Sequence, residues 1–223
     1  MENQKYAFLH NEKAKVLFAE TDLWLKSGYY IQEQHPEQRQ HFRFIEESPD
    51  LKDYYSTFYS VSLEYGQDDS NNKYYYIDFF RDKKDDYERG KVSLFKQEYL
   101  PVEFVIVGVL LAYIDMADHV GSIKDLQTML HHDYEEYKEG IYRLFANVQN
   151  KKNLIASDTD FVNKKIENAL RKFGEIGWLY FTPQSDKFEI MPSFHRLIND
   201  LYYDEIKNFD KIFKLEKSYE REV

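Results

Sequence analysis

Residues 170–192, LRKFGEIGWLYFTPQSDKFEIMP, constrain the fold more than any other stretch of the chain. A basic segment with helical patterning runs to a glycine. An aromatic strand, a polar turn and a second strand follow. The same order of elements stands once before it. EKAKVLFAETDLWLK (12–26) carries Val16, Leu17, Leu23 and Trp24 at roughly helical spacing, and Ser27-Gly28 ends it. YYI (29–31) reads as a short strand. Pro36 can open a second helix, PEQRQHFRFIEE, because proline is tolerated in a first turn. Asp50 can cap a third, LKDYYSTF. YSVSLEY (59–65) and KYYYIDFF (73–80) are strands around the hairpin loop GQDDSNN.

The second half repeats the plan. PVEFVIVGVLLAYIDMAD (101–118) is a helix, Gly121-Ser122-Ile123 a turn with a residue or two of strand, and KDLQTMLHH a helix with Ser122 as its cap. YEEYKEGIYRLFANVQ (134–149) is an additional amphipathic helix. Residues 159–176 form the next helix, WLYFT and KFEIM the strands, and PQSD (183–186) the turn. The tail, 193–219, shows Phe194, Leu197, Ile198, Leu201, Ile206, Phe209, Ile212 and Phe213, a pattern of one or two further helices. Two units of helix, short strand, helix, helix and hairpin predict an α+β, mainly helical chain of two tandem winged-helix domains with an additional C-terminal helix. The expected division is residues 1–90, 91–200 and a helical tail at 201–223, with the join near RDKKDDYERGK (81–91). The halves share element order and little identity.

Composition narrows the function. The chain has 223 residues, no cysteine and a formal net charge of −10. No disulfide framework, thiolate metal site or cysteine nucleophile is available. MENQKYAFLHNEKAK has no apolar signal core, and the longest apolar run, FVIVGVLLAYI (104–114), is far short of the roughly 20 residues of a membrane span. A cytoplasmic protein is expected. The acidic balance argues against indiscriminate polyanion binding but leaves room for a local basic face. The chain has no GxxxxGK[ST], GxGxxG or HExxH, so no nucleotide cradle or zincin motif is expected. His131-His132 with Glu135-Glu136 offers i,i+4 pairs, which read better as a solvated helix end than as a chelate. No cofactor, metal or small-molecule substrate is expected, and the chain does not read as an enzyme.

One face does suggest a ligand. On a helical wheel of 161–176, Val162, Ile166, Ala169, Leu170, Phe173 and Ile176 fall on one side. Lys164, Lys165, Asn168, Arg171 and Lys172 fall on the other, interrupted by Glu175. Cations and an amide on the solvated face of a recognition helix suit phosphates and base edges, and Lys187 beside the turn can add a contact. Lysines and arginines are also ordinary on a solvated helix face. The corresponding helix of the first half has one lysine against two aspartates, with Glu46 and Glu47 upstream. It would repel phosphate, and a protein interface is the better reading unless its aromatics are simply core.

WLKSGYYI (24–31), FIEESPDLKDYYSTFYSVSLEY, KYYYIDFF and VNKKIENALRKFGEIGWLYFTPQSDKFEIMPSFHRLIND (162–200) together resemble MukE and its relatives the MksE proteins. These are accessory subunits of bacterial condensin-like SMC complexes. The resemblance covers roughly 12–200. A helix-patterned tail in place of a long acidic one favours an MksE-type protein. The resemblance implies a non-catalytic homodimeric subunit that binds the kleisin, acts beside the SMC ATPase, meets DNA through the complex and is nucleoid-associated. Two alternatives stand beside it. A winged-helix transcription regulator would bind a defined sequence alone as a symmetric dimer. The equivalent subunit of an SMC-type anti-plasmid defence system would have a nuclease-like neighbour.

Overall fold

A computed structural model describes residues 6–80, 100–148 and 159–214. The expected join at 81–91, Gln149 and residues 215–223 of the tail lie outside them. The described chain is mainly helical with small antiparallel sheets. It forms two compact units. One takes the chain to Tyr99 together with Glu175–Trp178 and Ile190–Ser193. The other takes Leu100–Gly174, Leu179–Glu189 and Phe194–Val223.

In the first unit a short 3-10 helix, Ala7–His10, precedes α1 (Glu12–Lys26), β1 (Ile31–Gln32), α2 (Arg39–Glu46), α3 (Leu51–Tyr59), β2 (Val61–Gln67) and β3 (Lys73–Phe79). The strand order is β1-β3-β2, antiparallel throughout, with Val61 opposite Phe79 and Ile31 opposite Tyr75. Asn11 caps α1, its side-chain oxygen accepting from the Lys13 N–H at 2.9 Å. Asp50 occupies the position before α3 without a side-chain capping bond, contrary to expectation. Its carboxylate instead accepts from the Phe8 N–H at 3.4 Å, a partner supplied by the N-terminal segment. Pro36 lies in a turn ahead of α2, not in its first helical turn.

The core of this unit is Phe8, Leu25, Ile31, Phe44, Ile45, Leu51, Tyr55, Val61 and Leu63, with half-buried Phe18 and Tyr54 packed against it. Tyr54 meets Phe8, Phe18 and Tyr55 edge-on at centroid distances of 5.7, 5.6 and 5.4 Å, the arrangement that aromatic quadrupoles favour. Val16 and Leu23 of α1 do not join it. They are 76% and 63% exposed, although they recur at roughly helical spacing with Leu17 and Trp24. The helix buries Ala14, Thr21 and Leu25 instead.

A polar network is buried in the same unit. Gln32 and Ser193 are fully buried. The Gln32 side-chain amide donates to the Gly177 carbonyl at 2.6 Å, and its oxygen accepts from the Ser193 N–H at 3.1 Å. The Ser193 hydroxyl also donates to the Gly177 carbonyl, at 2.8 Å. Gly177 sits at φ +84°, and a β-carbon there would approach the Tyr30 carbonyl to 2.9 Å, so both conformation and space require glycine.

Two imidazoles are buried here as well. His41 packs on Trp24 at 4.5 Å, with its Nδ1 2.8 Å from the Thr21 hydroxyl. Burial holds His41 and His35 below the ordinary histidine range, against the opposing charges of Glu20 and Glu37. The folded state therefore favours the neutral rings. Their contribution is complete above the unfolded pKa of about 6.5 and is lost as pH falls through their lower folded values. The melting temperature should fall as buffers pass from neutral to mildly acidic pH, and a His35→Gln, His41→Gln variant should show a flatter profile. Parallel profiles would remove these histidines as the cause.

The second unit has α4 (Val102–Asp115), α5 (Ile123–His132), α6 (Glu135–Val148), α7 (Thr159–Glu175), β4 (Leu179–Phe181) and β5 (Phe188–Ile190). A 3-10 turn, Pro192–Phe194, follows, its first two residues belonging to the first unit, and a π-helical turn Arg196–Leu201, α8 (Tyr203–Lys207) and α9 (Phe209–Phe213) close the described chain. β4 and β5 pair as the expected hairpin. Residues 121–123 pair beside β5, the Phe188 N–H donating to the Gly121 carbonyl at 2.9 Å and the Ile123 N–H to that of Asp186 at 3.0 Å. Ser122 caps α5 as expected, accepting from the Asp125 N–H at 3.0 Å. α4 is apolar on almost every side and buried from Ile106 to Ala112, the behaviour of a central core helix. Among the described residues, no helix is long and apolar enough to cross a membrane.

The C-terminal helices dock by aromatic stacking. Phe209 stacks on Tyr113 at 4.0 Å and Phe213 on Phe209 at 4.1 Å. The Asp210 carboxylate accepts from the Tyr137 hydroxyl at 2.6 Å and the Tyr113 hydroxyl at 3.1 Å. These bonds, Tyr137 foremost, hold that carboxyl below its usual range. Gly140 of α6 lies directly beneath the backbone of Phe213.

Candidate nucleic-acid interface

α7 is amphipathic because its apolar residues recur every three or four positions. Val162, Ile166, Ala169, Leu170 and Phe173 are all completely buried, as the wheel predicts. That fixes the rotation of the helix and so decides which cations reach solvent. Lys164, Asn168 and Arg171 are exposed, Lys172 is half-buried, and Lys187 is exposed next to the turn of the hairpin.

Lys165 departs from the expected solvated row. Its ammonium lies 2.9 Å from the Glu103 carboxylate, with the two side chains only 22% and 19% exposed. The hydrogen bond from Lys165 is the main reason that the Glu103 carboxyl sits below its usual range. The lysine borders the buried Val162 and Ile166 and reaches back to the first turn of α4. A partly desolvated pair of this kind is costly to break, because the survivor is left uncompensated. Lys165 is therefore paired within the unit and less solvated than the wheel implies.

The remaining cations differ from those of the first unit. There Lys13 pairs with Glu47, Lys52 with Glu64 at 3.2 Å, Lys73 with Glu46 at 2.6 Å and Arg43 with Glu33 at 3.2 Å. Lys15 pairs with Glu12 and Lys26 with Asp22, both at 2.6 Å, so most positive charges on that surface already face a carboxylate. Among the described residues, Lys164, Arg171 and Lys187 have no such ion pair. Unneutralised cations on one helix face and at the adjoining turn form a surface that can exchange counterions for phosphates.

Arg171 also has a partner the sequence reading missed. Its guanidinium carbon lies 4.5 Å above the ring of Phe181. The two residues and the turn from Thr182 to Asp186 line an open notch. One signal pointed here: Gly174 inside a long helical pattern is a poor helix former and implies a packing reason. A β-carbon at Gly174 would come within 2.9 Å of the Phe181 ring.

The paired histidines are not grouped for metal. The Nε2 of His131 is 2.9 Å from the Asn163 side-chain oxygen. Among the described residues, no cluster of three or more His, Asp or Glu side chains is placed to hold an ion.

Comparison with curated proteins finds no match to the chain. The family model of the condensin complex protein MksE matches residues 16–202, from α1 through the π-helical turn, and the chain belongs to the MksE family.

Proposed function

We propose that this chain is the non-catalytic accessory subunit of a bacterial condensin-like SMC complex, binding the kleisin and contacting DNA in chromosome organisation and segregation. The match over residues 16–202 carries the proposal. Both units read as winged helices, at 1–90 and 91–200 with a helical tail at 201–223. The β1-β3-β2 order of the first sheet and the pairing of residues 121–123 beside β5 support that reading. The protein works in the cytoplasm on the nucleoid, as a homodimer beside the SMC ATPase.

The two units divide the work. The first has most of its cations paired and shows Val16 and Leu23 exposed on α1, which suits a protein partner. The second presents Lys164, Arg171, Lys172 and Lys187, with Asn168 between them, toward DNA held in the complex. The net charge of −10 is compatible with this, since the contact is local and the assembly brings the duplex to it.

Affinity purification of the tagged full chain from cells expressing its gene neighbourhood tests the proposal. A kleisin and an SMC ATPase should be retained in fixed ratio, and light scattering should give a dimer for the chain alone. Retention of an additional nuclease-like protein would move the reading to plasmid defence. Recovery of the chain alone, binding one DNA sequence tightly, would replace it with a transcription regulator.

A further inference from the structure

The notch between α7 and the 182–186 turn has a construction that a generic basic surface lacks. Arg171 lies on the ring of Phe181, its guanidinium carbon 4.5 Å from the ring centroid. That ring is itself fixed. It crosses α7 at Gly174, where a β-carbon would press against it at 2.9 Å. It also meets the buried Phe188 ring at 5.5 Å and 64°. A planar guanidinium that stacks through its face keeps its N–H edges for hydrogen bonds.

The turn adds polar groups. Gln184 is exposed at φ 57°. The Ser185 hydroxyl oxygen accepts from the Lys187 N–H at 3.1 Å, so its own proton is left to donate. Asp186 is the acid among the lining residues. Arg171 offsets it, so the lining carries no net charge, and Lys187 follows directly in the chain.

We propose that this notch grips the sugar–phosphate backbone of duplex DNA, with Phe181 as the positioning residue that holds Arg171 ready for a phosphate. The proposal rests on reading the α7 face as the DNA surface. A nucleic-acid strand fits better than an acidic peptide because the cations are spaced along a line. Lys164 and Arg171 are seven residues apart, about 10 Å along the helix. That distance spans several phosphates of one strand, which rise about 3.4 Å each.

The test is a salt titration of a fluorescein-labelled duplex by fluorescence anisotropy, using the complex assembled with its kleisin and SMC partners. Arg171→Ala should lower affinity and reduce the slope of log K against log salt by about 0.9. Phe181→Ala should lower affinity about two- to fivefold, the scale of an exposed cation–π contact. Phe181→Leu keeps apolar bulk without a ring face and should resemble the alanine variant, while Phe181→Tyr should restore binding. In an Arg171→Ala background, Phe181→Ala should add nothing.

Additive losses, or a leucine variant that binds like wild type, would overturn the positioning role. So would loss of partner retention with DNA binding unchanged, which would make the notch a protein contact. A Lys164→Glu, Arg171→Glu, Lys172→Glu protein separates the two levels. If it binds DNA as wild type does, the DNA reading itself fails. If it is weakened while Phe181→Ala is not, only the role of Phe181 falls.

Discussion

Reversing Lys164, Arg171 and Lys172 to glutamate should flatten the salt dependence of DNA binding by the assembled complex. Each phosphate released contributes about 0.9 to the slope, so three contacts remove roughly 2.7. The affinity loss should be similar for unrelated duplexes, because phosphate contacts carry no base information. Folding should be unaffected, since the apolar face that holds α7 in place, Val162 through Phe173, is untouched. Lys165 is left alone on purpose. Its reversal would set two carboxylates against each other where it now pairs with Glu103 at 2.9 Å, and a folding defect would be confused with lost binding. Circular dichroism is the folding control. An unchanged slope with intact fold would mean that α7 does not meet DNA, and the second unit would then be read as a protein-binding module, as is proposed for the first.

A second large effect is expected at Gly140, and its sign is diagnostic. Glycine to alanine inside a helix is ordinarily stabilising by roughly 1 kcal/mol. Here the added carbon would fall 2.0 Å from the Phe213 carbonyl oxygen, a backbone atom that cannot rotate away. α9 must therefore lift. That exposes Phe209 and Phe213, each worth about 1.5–3 kcal/mol of burial, and parts Asp210 from Tyr113 and Tyr137. Gly140→Ala should lower the melting temperature and open the C-terminal end to limited proteolysis. A raised melting temperature with the end still protected would show that the packing of α6 against α9 is not as described.

Much of this was legible in the sequence, and particular residues show why the rest was not. The bounds of α1, 12–26, and the hairpin turning at 183–186 follow from local signals: a glycine stop, a helical period and a polar tetrapeptide between aromatic strands. The buried face of α7 follows from spacing alone. Lys165 does not, because a wheel gives angles and not neighbours, and its partner Glu103 is 62 residues away. The exposure of Val16 and Leu23 was hidden for a related reason. Periodicity finds an apolar stripe but does not say whether the stripe meets a core or the outside. Nor could any local pattern bury Gln32, whose partners Gly177 and Ser193 are 145 and 161 residues on. The platform of Gly174 and Phe181 left only a faint trace, a glycine where a helix would rather have none.

The Gln32 network also bears on how the protein is made. A ribosome delivers the chain from its N-terminus, and domains generally fold in that order. The first unit cannot finish in that way. When Gln32 and the three strands of its sheet have emerged, the carbonyl of Gly177 and the amide of Ser193 do not yet exist. A buried polar group waiting for its partner is unfavourable by about 1–3 kcal/mol. The buried network of the first unit therefore stays incomplete until Ser193 has emerged. Its completion is timed by the synthesis of residues on either side of the second hairpin, Gly177 before it and Ser193 after it.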